Sequence, residues 1–335
     1  MGKKLLITIG ILIAGFFLYL FFRKVEWDRV VAAISQANYW WLIPNVVMIF
    51  ASMALRAWRW GIMVNPIKKC SFRGLYAATM IGFMASNILP ARLGELARPL
   101  SLGKIEDVSR SAAMATTLIE RVFDLLTLLA LFTLIILFKE FPASVSEDLR
   151  HLETAGWLFL GVTMLAVIVL TLLKFKTQAT LSFLTKILHI FPQRIQEVGN
   201  DLLVKFASGL EVLSDPKSVL IISAQSALLW IIMALANYFI FLAFDMSFLP
   251  IDASFVVLAV VSVGIMLPNA PGFIGPYQYL TVLSLSLYGV DKDAAAACSI
   301  VMWATQYFTI TIAGLYHLRK EHLSLKEVER EPVTD

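Results

Sequence analysis

Six long runs of apolar residues and two interrupted ones alternate with polar segments along this chain of 335 residues. The uninterrupted runs cover residues 5–22, 41–62, 112–138, 155–173, 218–244 and 294–318. About 20 apolar residues in a helix cross about 30 Å of hydrocarbon, so each run predicts one membrane-spanning helix. The pattern therefore predicts an all-α, polytopic membrane bundle with six full spans.

The two interrupted runs, 72–102 and 253–289, are too long for one helix, and each is broken near its middle. The breaks contain proline and glycine, which end helices. Lipid cannot solvate a freed backbone, so each break must lie against protein or a water-filled cavity. We therefore predict two re-entrant segments, each a pair of short helices that enters and leaves on one side.

The placement of positive charge predicts the topology. With both termini inside, the cytoplasmic segments hold 21 of the 28 lysines and arginines, and the opposite segments hold 6. This asymmetry follows the positive-inside rule. It places the first broken segment on the cytoplasmic side and the second outside, so the two halves form an inverted repeat. Broken helices in corresponding positions of two such halves are typical of a membrane transport site.

Composition supports the membrane assignment and limits the functions that we expect of the chain. The chain is 59% hydrophobic and 16% charged, whereas soluble domains average about 45–50% apolar and about 25% charged residues. We expect a multi-pass protein of the cytoplasmic membrane. The net charge of +4 gives no support for nucleic-acid binding. Two cysteines, four histidines without metal-ligand spacing and no phosphate-loop motif predict no metal, no cofactor and no ATP hydrolysis.

The predicted domain organisation is simple. Residues 1–318 form one integral membrane domain, and residues 319–335 form a charged cytoplasmic tail. Within the domain, residues 174–217 contain two amphipathic stretches separated by Pro192. They lie along the inner leaflet or pack together as a cytoplasmic helical hairpin; the sequence leaves both alternatives open. The oligomeric state, including a homo-oligomer, is also open.

The first break carries residue types that bind phosphate. Asn87 ends the first half-helix, and Arg92 and Arg98 can donate bidentate hydrogen bonds to a phosphate group. Glu95 lies three residues before Arg98, so the two can pair on one helical face. In the alternative interpretation, these arginines extend to the cytoplasmic interface and only anchor the segment.

Three charged residues, Glu120, Arg121 and Asp124, lie inside the apolar run 112–138. An arginine at the bilayer centre costs roughly 2.5–3.5 kcal/mol on insertion scales, so partners are expected. If this helical face meets the first break, the carboxylates orient the arginines or carry protons around a pocket for an anionic headgroup. The pocket would be formed by Arg92, Arg98, Arg121, Glu95, Glu120 and Asp124. A buried ion network that only stabilises the fold is the alternative.

Two further groups complete the candidate site. Arg56, Arg59 and Trp60 close the second span, and both residue types favour the headgroup level of a membrane. We expect them to anchor the helix at the interface or to contact a headgroup at the mouth of a cavity. The second break has no fixed charge, but its polar groups and helix N-terminus can bind an anion. Its candidate residues are Asn269, Gly272, Gly275 and Gln278.

With these motifs, the chain resembles the lysylphosphatidylglycerol synthase transmembrane-region family, also called the flippase-like domain family. The resemblance covers nearly the whole chain and rests on LRAWRW at 55–60, NILPARLGELAR at 87–98, ERVFD at 120–124 and PGFIG at 271–275. The family usually has a Gly-Gly pair and an acidic residue in the last motif. Here Phe273 replaces the second glycine, and Gln278 occupies the approximate acidic position.

The resemblance implies a membrane domain that moves or handles lipids, phospholipid or polyprenyl-linked. Larger relatives carry a soluble aminoacyl-transfer domain after the membrane region, and we expect that activity to be absent here. The leading hypothesis is a lipid translocase without enzymatic activity, with a membrane lipid as its substrate. The alternatives are a membrane-embedded lipid-modifying transferase, or its lipid-presenting subunit, and a transporter of a small soluble anion, which predicts a sealed polar cavity.

Overall fold

The computed structural model describes residues 3–23, 25–89, 94–138, 177–189, 215–265 and 271–325, together with isolated positions between 157 and 200. The described residues are helical and contain no strand, which confirms the all-α prediction. The helices are α1 (Lys3–Phe22), α2 (Trp27–Gln36), α3 (Leu42–Val64), α4 (Phe72–Ile88), α5 (Gly94–Glu106), α6 (Arg110–Phe138), α7 (Thr177–Leu188), α8 (Pro216–Ala243), α9 (Ile251–Gly264), α10 (Pro276–Ser286) and α11 (Lys292–Lys320).

Three of the described helical segments are long and apolar enough to cross a membrane: Tyr39–Val64, Pro216–Ala243 and Lys292–Lys320. Each corresponds to a predicted span. Shorter apolar helices include Gly10–Phe22 and Ile251–Gly264. Most of the predicted span 155–173 and of the amphipathic region 174–217 lies outside the described residues, so the count of six spans stays a prediction. The predicted domain boundary at residue 318 falls inside the last turn of α11.

Polar residues at the helix ends fix where the long helices begin. The Ser71 hydroxyl accepts a hydrogen bond from the backbone N–H of Gly74 at the start of α4 (3.0 Å). Asp215 accepts from the backbone of Lys217 and Ser218 at the start of α8, with Pro216 in the first turn. Such caps satisfy N–H groups that have no partner within the helix.

The first broken segment folds back on itself as an antiparallel helical hairpin of α4 and α5. A Cβ atom on Gly94 would lie 2.0 Å from the backbone nitrogen of Ser86, and one on Gly82 would lie 2.5 Å from Cβ of Arg98. Glycine at 82 and 94 therefore lets the two backbones approach closely. The break at 90–93 itself lies outside the described residues.

The second broken segment, α9 and α10, forms a similar antiparallel hairpin. Near its tip, a Cβ atom on Gly264 would lie 2.0 Å from a methyl carbon of Leu280. At its base, the Tyr288 hydroxyl donates to the carboxylate of Asp252 (3.0 Å). A short 3-10 turn, Pro271–Phe273, precedes α10. Both broken segments are thus pairs of short helices, as the sequence predicts.

The two hairpins lie along α11 from opposite ends. Near the C-terminal end of α11, the rings of Tyr76 and His317 lie 5.5 Å apart. Near the N-terminal end, Leu285 of α10 shares a core cluster with Ala295 and Cys298.

The tips of the hairpins meet near the middle of α11. The Asn87 amide donates to the Tyr307 carbonyl (3.4 Å) and to the Thr311 hydroxyl (3.1 Å). The indole N–H of Trp303 donates to the Gly272 carbonyl (2.7 Å). α4 also contacts the 3-10 turn directly. The described ends of the two breaks therefore converge at one level of the bundle.

The close approach within the first hairpin predicts that Gly94→Ala destabilises the protein. The added methyl group meets backbone atoms that cannot rotate away, and overpacking of this kind costs about 1–3 kcal/mol. Thermal unfolding of the purified protein in detergent measures the effect. Gly15→Ala is the matched control, because a Cβ atom at Gly15 meets nothing within 4 Å. Equal melting temperatures for the two variants would contradict the hairpin geometry.

Candidate functional site

A network of buried ion pairs joins α3 to α6. Arg59 contacts Glu120 at 2.8 Å and Asp124 at 2.6 Å, and Arg56 contacts Asp124 at 3.2 Å. The two arginines are three residues apart on α3, and the two carboxylates are four residues apart on α6. Residues at these spacings share a helical face, so one basic face meets one acidic face.

The same network ties in the first hairpin through Arg98 of α5. Its guanidinium contacts Glu120 at 2.7 Å and lies 4.1 Å from the centre of a Trp60 ring. The Trp60 indole N–H in turn donates to the Thr116 hydroxyl (2.9 Å). Arg98 is therefore held between an aromatic face and a carboxylate, an arrangement that fixes its orientation.

Helix α8 contributes two polar contacts to the arginines. Arg59 donates to the Ser226 hydroxyl (2.6 Å), and Arg56 contacts the Met233 sulfur (3.1 Å). Neither Ser226 nor Met233 was among the residues expected at the site. Their contacts connect the network to the other half of the chain.

The network is buried and carries more positive than negative charge. Arg59 is 0% exposed, Glu120 2% and Arg98 3%; Arg56 and Asp124 are also buried. Three guanidinium groups thus face two carboxylates, which leaves one positive charge in excess among these described side chains. Nε of Arg56 and both Nε and Nη2 of Arg98 are buried without a hydrogen-bond partner. Because an unbalanced buried charge is costly, this arrangement favours an anionic ligand.

A cavity of about 100 Å³ lies next to the network. It is lined by both broken segments, through Phe83 near the end of α4 and Tyr277 at the start of α10, and by Arg56 of the network. Its wall is mostly apolar, with a few polar side chains: Asn45, Ser52, Asn237, Ser262 and Gln306. A mostly apolar wall with a few placed polar groups is typical of a ligand site.

Arg121 takes a different position from the one expected. It is half-buried, and its guanidinium carbon lies 6.0 Å from the Phe83 ring. Within the described part of the chain it forms no ion pair with a carboxylate. The Arg56 guanidinium approaches the same ring at 5.1 Å, so Arg121 lies near the cavity but outside the ion-pair network.

The described residues of the second break cap a helix and make close backbone contacts. Gln278 accepts a hydrogen bond from the backbone N–H of Gly275 (2.8 Å) and so caps the start of α10. Gly272 and Gly275 both have positive φ, 72° and 96°, and a Cβ atom on Gly275 would lie 2.7 Å from the Ala14 carbonyl oxygen. Phe273, at the position where the family usually has glycine, also has positive φ (58°), which is uncommon for a bulky residue.

Three of the expected site residues have no described side chain. Arg92 and Asn269 lie outside the described residues, and only the backbone position of Glu95, in α5, is described. Within the described ranges, no three His, Cys, Asp or Glu side chains come together as a metal site. The described site is therefore built from arginines, carboxylates and neutral polar groups.

Of the two expectations for Arg56, Arg59 and Trp60, anchoring at the membrane interface needs correction, whereas contact at the mouth of a cavity stays open because Arg56 lines the cavity. All three are buried inside the bundle, because opposite charges on α6 and the hydroxyl of Thr116 provide partners there. Trp58 is the exposed residue of this motif, at 61%. The matched spacing of Arg56 with Arg59 and of Glu120 with Asp124 was the sequence signal that could have predicted the pairing.

Comparisons with known proteins place the chain among membrane proteins. A family model described as "Lysylphosphatidylglycerol synthase TM region" matches residues 7–314. The chain is 23% identical over 293 residues to a UPF0104 membrane protein of Methanothermobacter thermautotrophicus, covering 84% of this chain and 86% of the relative. A UPF0104 membrane protein of Methanocaldococcus jannaschii is 24% identical over 327 residues, with 92% of each chain covered.

A further relative is named "Glycosyltransferase AglD" in Haloferax volcanii. It is 20% identical over 348 residues, which cover 96% of this chain and 55% of that protein. The similarity therefore extends over nearly all of this chain but over little more than half of the relative.

The buried network predicts that Arg59→Met destabilises the protein strongly. The change removes the guanidinium that pairs with both carboxylates, and breaking a buried ion pair costs about 3–5 kcal/mol. Thermal unfolding in detergent measures the loss. Arg29→Met is the control, because Arg29 forms an ion pair with Glu26 while its side chain is 65% exposed, and exposed pairs contribute at most about 1 kcal/mol. A smaller loss for Arg59→Met than for Arg29→Met would contradict the network.

Proposed function

We propose that this chain, which belongs to the lysylphosphatidylglycerol synthase TM region family, moves a phosphate-bearing lipid between membrane leaflets without hydrolysing ATP. One observation carries the proposal: a buried, arginine-rich network with excess positive charge lies beside a cavity at the point where two helical hairpins converge. An anionic headgroup would balance that charge, and its acyl or prenyl chains would stay in the bilayer.

The arginines have separate roles in this proposal. Nε of Arg56, Arg59 and Arg98 and Nη2 of Arg98 have no hydrogen-bond partner. Arg98 therefore has the most donors left for phosphate oxygens, and Arg56 lines the cavity. Arg59 forms ion pairs with both Glu120 and Asp124 and serves mainly to position them. A guanidinium that shares its donors between a carboxylate and a phosphate forms charge-assisted hydrogen bonds to both. The headgroup would therefore enter beside α5 and reach Arg56 at the cavity.

Glu120 and Asp124 orient the arginines in this proposal and carry no proton. Each oxygen of Glu120 contacts a different arginine, Arg59 or Arg98. The oxygens of Asp124 likewise contact Arg59 and Arg56. Protonation of either carboxylate would remove a partner from a buried guanidinium, which is costly. The lipid would therefore move down its own gradient, or its movement would be coupled to an ion that does not bind as a proton to Glu120 or Asp124.

The hairpins would open the cavity to one side of the membrane at a time. The proposed arrangement keeps six spans with both termini inside, and the approach of the hairpins along α11 from opposite ends supports its inverted halves. Broken helices that meet inside the bundle suit alternating access. The hydrogen bond from Asn87 to Thr311 would break when the first hairpin moves, and the hydrogen bond from Trp303 to the Gly272 carbonyl would break when the second moves. The lipid route would run between the hairpin tips.

Lipid flipping in reconstituted vesicles tests this function. A fluorescent phospholipid in one leaflet is followed by dithionite quenching, and the wild-type protein is expected to accelerate its exchange. Arg98→Gln should slow the protein-dependent rate about tenfold or more, because it removes a charge-assisted contact worth about 1.5–3 kcal/mol. Arg121→Gln should slow it less, since Arg121 lies outside the network. Arg29→Gln, at an exposed position, is the control.

Folding of each variant is verified by its elution and melting temperature before reconstitution. A wild-type protein with no effect on exchange, or rates that are unchanged in both folded Arg98→Gln and Arg121→Gln, would rule out the proposed mechanism.

A second candidate function follows from the relative named as a glycosyltransferase: a membrane-embedded lipid-modifying transferase, or the subunit that presents lipid to one. Mass spectrometry of the lipids from the same vesicles distinguishes the two functions. Translocation leaves the lipid chemically unchanged on the other leaflet. A covalently altered lipid, formed when a cytosolic extract supplies donor substrates, would favour the transferase.

A further inference from the structure

We infer that the cavity beside Arg56 is a binding site for a small monovalent inorganic anion, such as chloride, which occupies it when no lipid phosphate is present. This inference concerns the state between two lipid movements. Its exchange step rests on the proposed function, whereas the anion site itself rests on the charge and shape of the cavity.

The charge balance among the described side chains favours such an occupant. Arg56, Arg59 and Arg98 outnumber Glu120 and Asp124 by one charge, and all five side chains are buried. Nε of Arg56 has no hydrogen-bond partner, and Arg56 lines the cavity. A guanidinium held away from water and without a full complement of partners is unfavourable. A lipid phosphate removes this imbalance only while the lipid is bound.

The size of the cavity selects a small ion. Its volume is about 100 Å³, less than the engineered cavity of about 150 Å³ that admits benzene. A halide ion or a few waters fit within this volume, whereas a hexose or a lipid tail does not.

The lining of the cavity offers hydrogen-bond donors without negative charge. Asn237 and Ser262 line it and form no hydrogen bond within the described part of the chain. Gln306 accepts weakly from the Tyr277 hydroxyl through Oε1 (3.5 Å), which leaves its amide hydrogens free. No carboxylate is among the described side chains that line the cavity. Arg56 with these neutral donors can replace part of the hydration shell of a monovalent anion.

Occupancy by an anion gives the lipid a competitor for the same positive charge. Entry of a phosphate headgroup at Arg56 would displace the small anion, and departure of the headgroup would let the anion return. The buried arginines would then have a counter-charge throughout the cycle. Such competition predicts that chloride weakens lipid binding without changing the fold.

Anion-dependent thermal stability tests the site. Purified protein is melted in chloride, bromide or gluconate at constant ionic strength, with gluconate as an anion too large for the cavity. The wild type should show a saturable rise in melting temperature with chloride and bromide over gluconate. Ser262→Met should abolish that rise by filling the cavity while Arg56 is retained. Ser286→Met, at an exposed serine of α10, should keep it.

A second measurement applies if Ser262→Met fails to fold. Crystals of the wild-type protein grown in bromide should give an anomalous peak beside the Arg56 guanidinium. Equal melting temperatures in chloride and gluconate for the wild type, or a bromide-soaked structure without a peak in the cavity, would overturn the anion site.

A competition experiment separates failure of this inference from failure of the proposed function. Binding of a short-chain phosphatidylglycerol is titrated in chloride and in gluconate. The inference predicts an apparent dissociation constant that rises linearly with the chloride concentration. Lipid binding that chloride does not affect would overturn the inference and leave the translocase proposal standing. Saturable chloride binding without lipid flipping would keep the anion site and rule out the translocase.

Discussion

The structure depends on one constraint: charged side chains buried between apolar helices must find partners there. Arg59 satisfies this constraint by pairing with Glu120 and Asp124, and Arg56 and Arg98 extend the pairing to both ends of the acidic face. Since desolvation penalises every one of these ions, the helices that carry them can pack in few other ways. The ion pairs thereby specify how α3, α5 and α6 meet, and the surplus guanidinium makes the same place suited to an anion.

The broken helices impose a second constraint, because they place helix ends in the middle of the bundle. A free helix end exposes backbone groups that lipid cannot satisfy. Here the Gln278 side chain caps one end, and Asn87 and Trp303 connect the two tips to α11. The result is a meeting point of polar groups beside a cavity. Gly82 and Gly94 let the first hairpin close tightly around its break, and Gly264 lies against Leu280 near the tip of the second.

Much of this architecture could be predicted from the sequence, because its physical signals are local. Apolar runs and proline-glycine breaks predicted long helices and both hairpins. The charges inside an apolar run predicted that Glu120 and Asp124 could face Arg98 of the first break, and the structure brings Arg98 to 2.7 Å from Glu120. The pairing of Arg56 and Arg59 with these carboxylates fits the matched spacings on α3 and α6, but the spacings alone do not show that the two helices pack together. Arg56 and Arg59 look like interface residues in a one-dimensional pattern, and only the packing of α3 against α6 places them inside. The roles of Ser226, Asn237 and Gln306 likewise depend on long-range packing, which the spacing of neighbouring residues does not encode.

Direct observation of a lipid on the arginines tests the central claim most sharply. The protein would be reconstituted in nanodiscs that contain an anionic phospholipid, and its structure determined by electron cryomicroscopy. The account predicts density for a lipid phosphate within hydrogen-bond distance of Arg98 or Arg56, with the acyl chains leaving the bundle between helices. Lipid phosphates found only at the two membrane surfaces, with the arginines fully enclosed by protein in every resolved conformation, would contradict it.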